Sequence, residues 1–292
     1  MYSNDVVQSN RTKVFFYMII MTAIIVGLGY FISDMLGYGL MGVWIALIIS
    51  GILNFVSYFF SDTLVIKSSG AVPIQEEDMP EYYAMVREMC SRNDIKMPRL
   101  YLINTSALNA FATGRNQDRA IVAVTRGLLE RLSLNEVSGV VGHELSHIAN
   151  GDMFLMSVVS ILVGFIGIFA NIYSRSSLLS GFRRRDDSGI SAIVGIVFAL
   201  AAPLIATLIK FAISRSREYM ADAKGAKFCA HPEYLASALA KIKNDSSILP
   251  VANEATAHLY ISNPFKSGLF ANLMSTHPNI DDRIKKLENM NI

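Results

Sequence analysis

The chain has 292 residues, of which 52% are hydrophobic and only 17% are charged, so it is more apolar than an ordinary soluble domain of this size. Its 26 Lys and Arg residues nearly balance 24 Asp and Glu residues, which excludes the strong positive field typical of a nucleic-acid-binding protein. Two cysteines, Cys90 and Cys229, form neither a disulfide framework nor a C-x-x-C pair. The composition directs attention to membrane segments.

Two uncharged apolar windows come first, Val14 to Ile32 and Gly39 to Phe60. About 20 apolar residues are enough to cross a bilayer. A signal peptide is the alternative for the first window, because Arg11 and Lys13 precede it. However, the apolar run continues past Gly27-Leu28-Gly29, the loose match to a cleavage site, and only six residues separate the windows. We therefore predict an uncleaved transmembrane hairpin over residues 1–62.

The charges around this hairpin predict its orientation. Positive residues precede the first window and follow the second, whereas the short gap between them has none, so residues 61–152 are expected in the cytoplasm. Two more apolar stretches, Met153 to Tyr173 and Ile190 to Ile209, predict a second hydrophobic hairpin over 153–210. Four arginines lie in its connector, so both a full crossing and a shallow hairpin stay open.

The less apolar residues, 63–152 and 211–292, predict one head with helices and a small sheet. A helix is expected from Asp78 and Pro80 to about Arg92, since proline is favourable in a first helical turn. Three short runs rich in β-formers predict strands: Arg99 to Asn104, Leu108 to Thr113 and Ala120 to Val124.

Ser133 and Glu136 have the spacing of a capping box, so a helix is expected from near Leu134 to about Asn150. Its inward stripe is predicted to consist of Leu134, Val137, Val141, Leu145 and Ile148.

The segment from His143 to His147 within that helix reads H-E-x-x-H. Histidines four residues apart project from one helix face within reach of one zinc ion, and Glu144 follows as the general base for a metal-activated water. This pattern predicts metal-assisted peptide hydrolysis. Chance occurrence, with the histidines merely hydrogen-bonded, is the alternative.

A third ligand must come from elsewhere, because no histidine lies between His147 and His231. Glu218 is the best candidate, since Asp222 lies four residues later on a predicted helix and can support the site. The alternative for this pair is an ordinary charged helix face.

Four motifs stand out along the chain: Gly142-His-Glu-Leu-Ser-His-Ile-Ala-Asn-Gly-Asp152, Glu218-Tyr-Met-Ala-Asp222, Asn109-Ala-Phe-Ala-Thr-Gly114, and His277-Pro278 with Arg283-Ile284. Together they resemble the HtpX family of membrane gluzincins, which is related to the CAAX prenyl proteases. The resemblance covers nearly the whole chain. It implies a zinc-dependent endopeptidase with one zinc ion, which degrades damaged or misfolded proteins, especially membrane proteins, in stress quality control at the bacterial cytoplasmic membrane.

The resemblance also implies roles for individual residues. His143, His147 and Glu218 match zinc ligands, Glu144 matches the general base, and Asp222 supports the ligands. Asn109, Ala110, Phe111 and Ala112 match an edge strand to which an extended substrate adds, although plain sheet core is the alternative for Phe111. His277 and Arg283 match positions that steady the oxyanion or orient Asp222, and a helix start is the alternative for His277.

The expected fold is therefore α+β: a mainly helical integral membrane protein with a zincin-like catalytic head, a small β-sheet and up to four transmembrane helices. Four segments are predicted: 1–62 as the first hairpin, 63–152 with the H-E-x-x-H helix, 153–210 as the second hairpin and 211–292 with the third ligand. An intramembrane protease and a non-catalytic zinc-binding scaffold remain alternatives. Charged residues before the motif disfavour the intramembrane protease, since they predict a water-exposed segment there. These residues are Arg126, Glu130, Arg131 and Glu136.

Overall fold

The computed structural model describes a mainly helical chain with one small mixed sheet, which confirms the predicted fold class. Most of the predicted second hairpin lies outside the described residues, so the hairpin and the segment boundaries at 153–210 stay predictions. The described residues are 4–35, 37–161, 215–247, 249, 256–262 and 278–291.

Two long helices form the N-terminal hairpin, α1 (Asn4–Met35) and α2 (Met41–Ser69). By length and composition, each is long and apolar enough to cross a membrane. Large apolar side chains on both helices point outward, and Ile19 and Trp44 are each 65% exposed. Such faces are unfavourable in water and suit a lipid environment.

Small and polar residues hold the two helices together. A Cβ atom on Gly42 would lie 2.3 Å from the Gly29 carbonyl oxygen, so the helix backbones approach closely there. The Ser33 hydroxyl accepts a hydrogen bond from the Gly42 N–H at 3.0 Å, and the side-chain amide of Asn54 donates to Thr22 Oγ1 at 2.8 Å. These contacts suit an apolar medium, in which van der Waals packing and interhelical hydrogen bonds drive helix association.

Four strands make the sheet, in the order β1-β2-β4-β3. The pair β2–β4 is parallel, whereas β1–β2 and β3–β4 are antiparallel. The three predicted strands are confirmed within two residues at each end, and the short strand β1 was not predicted. Since β3 lies at the end of the order, no other strand of the described residues pairs with its outer side. The strands are β1 (Val72–Pro73), β2 (Arg99–Ile103), β3 (Ala110–Thr113) and β4 (Ile121–Thr125).

Helix α3 (Pro80–Arg92) packs against α5 (Leu134–Asn150), while α4 (Arg126–Arg131) follows β4. The N-cap of α3 is Met79, without a side-chain hydrogen bond, so the start predicted at Asp78 falls two residues early.

The predicted capping box of α5 is confirmed. The Ser133 hydroxyl accepts from the Glu136 N–H, and the Glu136 carboxylate accepts from the Ser133 N–H at 2.8 Å. Glu136 is nevertheless buried rather than exposed, because Lys241 and Ser237 of a later helix also donate to its carboxylate.

The predicted inward stripe of α5 is buried at Val137, Val141, Leu145 and Ile148. The prediction is wrong for Leu134, which is 42% exposed. Leu134 is the first residue of the helix and lines a surface groove, so the core does not cover it.

Four more helices are described: α6 (Asp152–Ile161), α7 (Arg215–Cys229), α8 (Pro232–Asn244) and α9 (Ile280–Glu288). Helix α5 packs against α7 and α8 on one side and against β3 and β4 on another, while α9 contacts α7 and α8. The head core therefore surrounds α5, which is almost fully buried from Glu136 onward.

Candidate metal centre

Two imidazoles and one carboxylate meet inside the head. His143 and His147 lie one turn apart on α5, and Glu218 comes from α7. One ligand atom of each residue lies within 4.8 Å of the other two. The Nε2 atoms of the histidines are 3.2 Å apart, and each is 3.7 Å from a Glu218 carboxylate oxygen. All three side chains are buried.

A pair of glycines brings α5 and α7 close enough for this meeting. A Cβ atom on Gly142 would lie 2.7 Å from the Gly225 carbonyl oxygen, and one on Gly225 would lie 2.5 Å from the His143 backbone nitrogen. Any side chain at either position would therefore separate the helices. Glu218 lies two turns before Gly225, so the close crossing places its carboxylate beside the histidines.

Asp222 and Arg283 hold the ring of His143. The Asp222 Oδ1 atom is 2.9 Å from His143 Nδ1, and Arg283 donates to both Asp222 oxygens at 2.8 and 2.7 Å. Burial opposes ionisation of Asp222, but the charge and hydrogen bonds of Arg283 and the bond to His143 keep its pKa well below the usual range. The carboxylate is therefore charged and fixes the orientation of the imidazole.

Asp152 has the equivalent position beside His147, and sequence reasoning assigned it no role. Its Oδ2 atom is 3.4 Å from His147 Nδ1. It directly follows Gly151, which ends α5 in a left-handed conformation with φ 70°. The Gly-Asp pair at the end of the H-E-x-x-H helix was the available signal, since a left-handed glycine ends a helix and the carboxylate that follows it lies close to the last turn.

The donor set fits a divalent metal ion. Each histidine turns Nδ1 to a carboxylate and Nε2 to the other histidine, so a metal ion between them would satisfy both lone pairs. Burial disfavours a charged imidazole, yet Asp152, Glu218 and Glu144 raise the pKa of His147 to about 9. This surplus of negative charge attracts a cation, and two histidines with one carboxylate form a common ligand set of catalytic zinc sites.

Glu144 follows His143 on the same helix and is also buried. Burial raises the pKa of its carboxyl group, against the opposing effects of His143 and His147, and Glu218 raises it further. A carboxylate destabilised in this way gains by accepting a proton, which suits a general base.

The predicted edge strand is β3. The Asn109 carbonyl oxygen accepts a hydrogen bond from the Thr125 N–H of β4. Hydrogen-bonded residues alternate along an antiparallel strand, so the N–H and C=O groups of Ala110 and Ala112 point away from β4. The Ala110 carbonyl accepts from the Ile261 N–H at 3.0 Å, and the Asn109 side chain donates to the Ser262 carbonyl at 3.1 Å.

Residues 256–262 therefore cover one end of the edge strand. Phe111 is buried against Tyr260, with ring centroids 5.3 Å apart, which places it in the sheet core. Arg283 joins this segment to the metal centre, since its Nη1 donates to the Ile261 carbonyl at 2.9 Å. Within the part of the chain that the structure describes, the outward backbone groups of Ala112 have no hydrogen-bond partner.

The remaining histidines are not part of the described site. His277 lies outside the described residues, so its role stays a prediction; the helix after it begins at Ile280 with Asn279 as its cap. His231 is exposed and pairs with Glu233. The side chain of His258 is likewise outside the description.

Sequence comparison identifies relatives along almost the whole chain. The model of Peptidase family M48 matches residues 76–291. A Protease HtpX homolog of Desulforapulum autotrophicum is 41% identical over 270 residues, which cover 92% of this chain and 87% of that protein. Protease HtpX of Legionella pneumophila strain Corby is 41% identical over 285 residues, or 96% of this chain and 99% of the relative.

Among solved structures, the crystal structure of S. mikatae Ste24p shares the fold. The TM-score is 0.50 at 18% sequence identity, and the match covers 97% of this chain and 67% of Ste24p. The resemblance predicted from the motifs is confirmed, as is the assignment to the metallopeptidases. The chain belongs to peptidase family M48 and, within it, to the HtpX proteases.

Proposed function

We propose that the protein is a zinc-dependent endopeptidase that degrades damaged or misfolded proteins, membrane proteins among them, in stress quality control. The observation that carries this proposal is the buried set of His143, His147 and Glu218 with Glu144 beside it. The bilayer is its permanent partner, and nothing in the charge balance calls for nucleic acid.

The site residues divide the chemistry among them. His143, His147 and Glu218 would hold the zinc ion, which when bound supplies Lewis-acid activation of a water molecule. Glu144 takes a proton from the attacking water and returns it to the leaving amine. Asp222 and Arg283 keep the ring of His143 oriented, and His277 is proposed as a donor that steadies the oxyanion.

The substrate is proposed to add to β3 as an extended strand, so that backbone hydrogen bonds make recognition largely independent of sequence. Asn109 and Ala110 already bind residues 261 and 262 at one end of the strand. Ala112 offers the outward N–H and C=O groups for pairing, while Phe111 supports the strand from the core.

Hydrogen exchange tests this binding mode. In the Glu144→Gln variant with a bound unfolded peptide, we expect the Ala112 amide to exchange about tenfold more slowly, as one added hydrogen bond of about 1.4 kcal/mol predicts. Strand β2 is the matched control, because it lies inside the sheet and should not change. Unchanged exchange at 110–113 with the peptide bound would exclude strand addition at Ala112.

The catalytic head is proposed to face the cytoplasm, with the chain a multi-pass protein of the bacterial cytoplasmic membrane. Asn10 of α1 donates a hydrogen bond to Asp152 at the start of α6, beside the candidate metal centre, and Val65 near the end of α2 packs with Ile103 and Phe111 of the head. Arg11, Lys13 and Lys67 therefore share one side with the head. Positive residues accumulate on the cytoplasmic side, which supports this orientation.

Membrane vesicles of known sidedness test orientation and activity together. Inverted vesicles should cleave added casein, which is unfolded, and should leave a tightly folded protein of similar size intact. Right-side-out vesicles should cleave neither until detergent opens them. A chelator should abolish cleavage and zinc should restore it. Equal cleavage by intact right-side-out vesicles would contradict the orientation, and cleavage that persists in chelator would contradict the zinc chemistry.

A further inference from the structure

The beginning of the first membrane helix reaches the metal centre through one buried side chain. Asn10 lies on α1, before the long apolar stretch, and only 3% of it is exposed. Its side-chain amide donates to Asp152 Oδ1 at 2.7 Å and to the Asn150 carbonyl oxygen at 3.1 Å. Both N–H groups of the amide can therefore be satisfied by residues at the end of the ligand helix.

The two oxygens of Asp152 have different partners. Oδ1 accepts from Asn10, and Oδ2 faces Nδ1 of His147 at 3.4 Å. A carboxylate on Nδ1 sets the tautomer and ring orientation of a metal-binding histidine, so its own position matters for the metal. Asp152 lies just beyond the helix end at Gly151, and Asn10 is the group that fixes its other oxygen.

Packing between α1 and α6 places Asn10 at this position. Beyond it, Val14, Tyr17 and Met21 of α1 form one buried cluster with four residues of α6. At the near end, a Cβ atom on Gly151 would already touch Val7. The two helices therefore run side by side from the metal centre into the apolar region. The cluster members from α6 are Phe154, Leu155, Val158 and Val159.

We propose that Asn10 is a positioning residue for the metal centre. It acts through Asp152 to hold the ring of His147 in the orientation that binds metal. The N-terminal membrane helix then serves as part of the active site as well as an anchor, because undocking it would release Asp152. This inference rests on the proposed zinc site.

The test measures zinc affinity of the full chain in detergent, by competition with a chromophoric chelator. All variants carry Glu144→Gln, so that proteolysis does not contribute. Asp152→Ala should weaken zinc binding about 10- to 100-fold, and Asn10→Ala should weaken it about tenfold, at the lower end of that range. Adding Asn10→Ala to Asp152→Ala should cause no further loss, because Asn10 acts only through Asp152.

Controls separate positioning from general destabilisation. Ser9→Ala changes an exposed neighbour on α1 and should bind zinc as the parent does. Asn10→Leu keeps the branched side-chain shape without the donors, and should weaken zinc binding as Asn10→Ala does. Cobalt substituted for zinc gives a visible spectrum, which should change in both Asn10 variants and remain unchanged in Ser9→Ala.

Three results would overturn the inference. Asn10 variants that melt at lower temperature yet keep the parental zinc affinity and cobalt spectrum would show a purely structural role. An equal loss from Asn10→Ala with and without Asp152 would show another route of action. If the parent itself binds no zinc, the proposed metal fails as well, so the two failures are distinguishable.

Discussion

Replacing Glu144 with Gln is expected to leave zinc binding intact and to lower the turnover of casein by about 10²- to 10⁴-fold, the usual contribution of a general base. Gln has nearly the same shape but cannot accept the proton from water. Glu144 is buried beside two proposed ligands, and burial raises the pKa of its carboxyl group, which favours proton uptake at this position. Zinc content by elemental analysis and initial cleavage rates provide the two measurements.

The matched control is Glu130→Gln, which makes the same chemical change at an exposed residue near the start of the ligand helix. It should retain parental turnover. Cleavage at the parental rate by Glu144→Gln would contradict the proposed mechanism.

The two alternative functions predict other results with casein. A non-catalytic zinc scaffold would never cut casein, and an intramembrane protease would cut membrane-spanning substrates but not casein.

Features encoded by a few neighbouring residues were predictable from the sequence. The Ser133 and Glu136 spacing located the start of α5 to the residue, because a capping box depends on groups within one turn. The histidines of H-E-x-x-H share one face for the same reason, since i and i+4 positions coincide on any α-helix. The approach of Glu218 to these histidines depends instead on the crossing of α5 and α7, which no local pattern specifies.

Features that depend on distant contacts were not predictable in this way. Asn10 and Asp152 are separated by 142 residues, and no local pattern pairs them. The contact of Gly142 with Gly225 likewise becomes meaningful only when α5 and α7 cross. Leu134 fits the helical stripe, but its exposure depends on how far neighbouring elements extend over the first turn of α5. Periodicity gives a direction around the helix axis and contains no information on that extent.

Arg283 is a buried polar residue that connects two parts of the site. Its guanidinium is almost completely buried and bonds Asp222 and the Ile261 carbonyl at once. It therefore links the edge strand, through residues 256–262, to the ring of His143. A fixed link of this kind suits a protease, because peptide hydrolysis requires the substrate strand and the metal site to keep a constant separation.

Replacing Glu218 with Ala is expected to weaken zinc binding more than 100-fold, beyond the loss typical of outer-shell partners, because it would remove a proposed direct ligand. The remaining two imidazoles cannot complete a site of three protein ligands. Glu218 also raises the pKa of His147, so its loss reduces the attraction of the pocket for a cation. Glu233→Ala on α8 is the matched control, since that carboxylate is exposed and pairs with the surface residue His231.

Thermal melting with and without zinc distinguishes ligand loss from misfolding in Glu218→Ala. A ligand present at 1,000 times its Kd stabilises the folded state by about 4.1 kcal/mol, and a 100-fold weaker site gains only about 1.4 kcal/mol at the same concentration. The increase in Tm that zinc produces should therefore shrink by about two thirds, while the metal-free Tm stays close to that of the parent. Full zinc-dependent stabilisation with unchanged metal content would remove Glu218 from the ligand set. In that case the close crossing of α5 and α7 would serve packing alone, and the third ligand would have to come from outside the described residues.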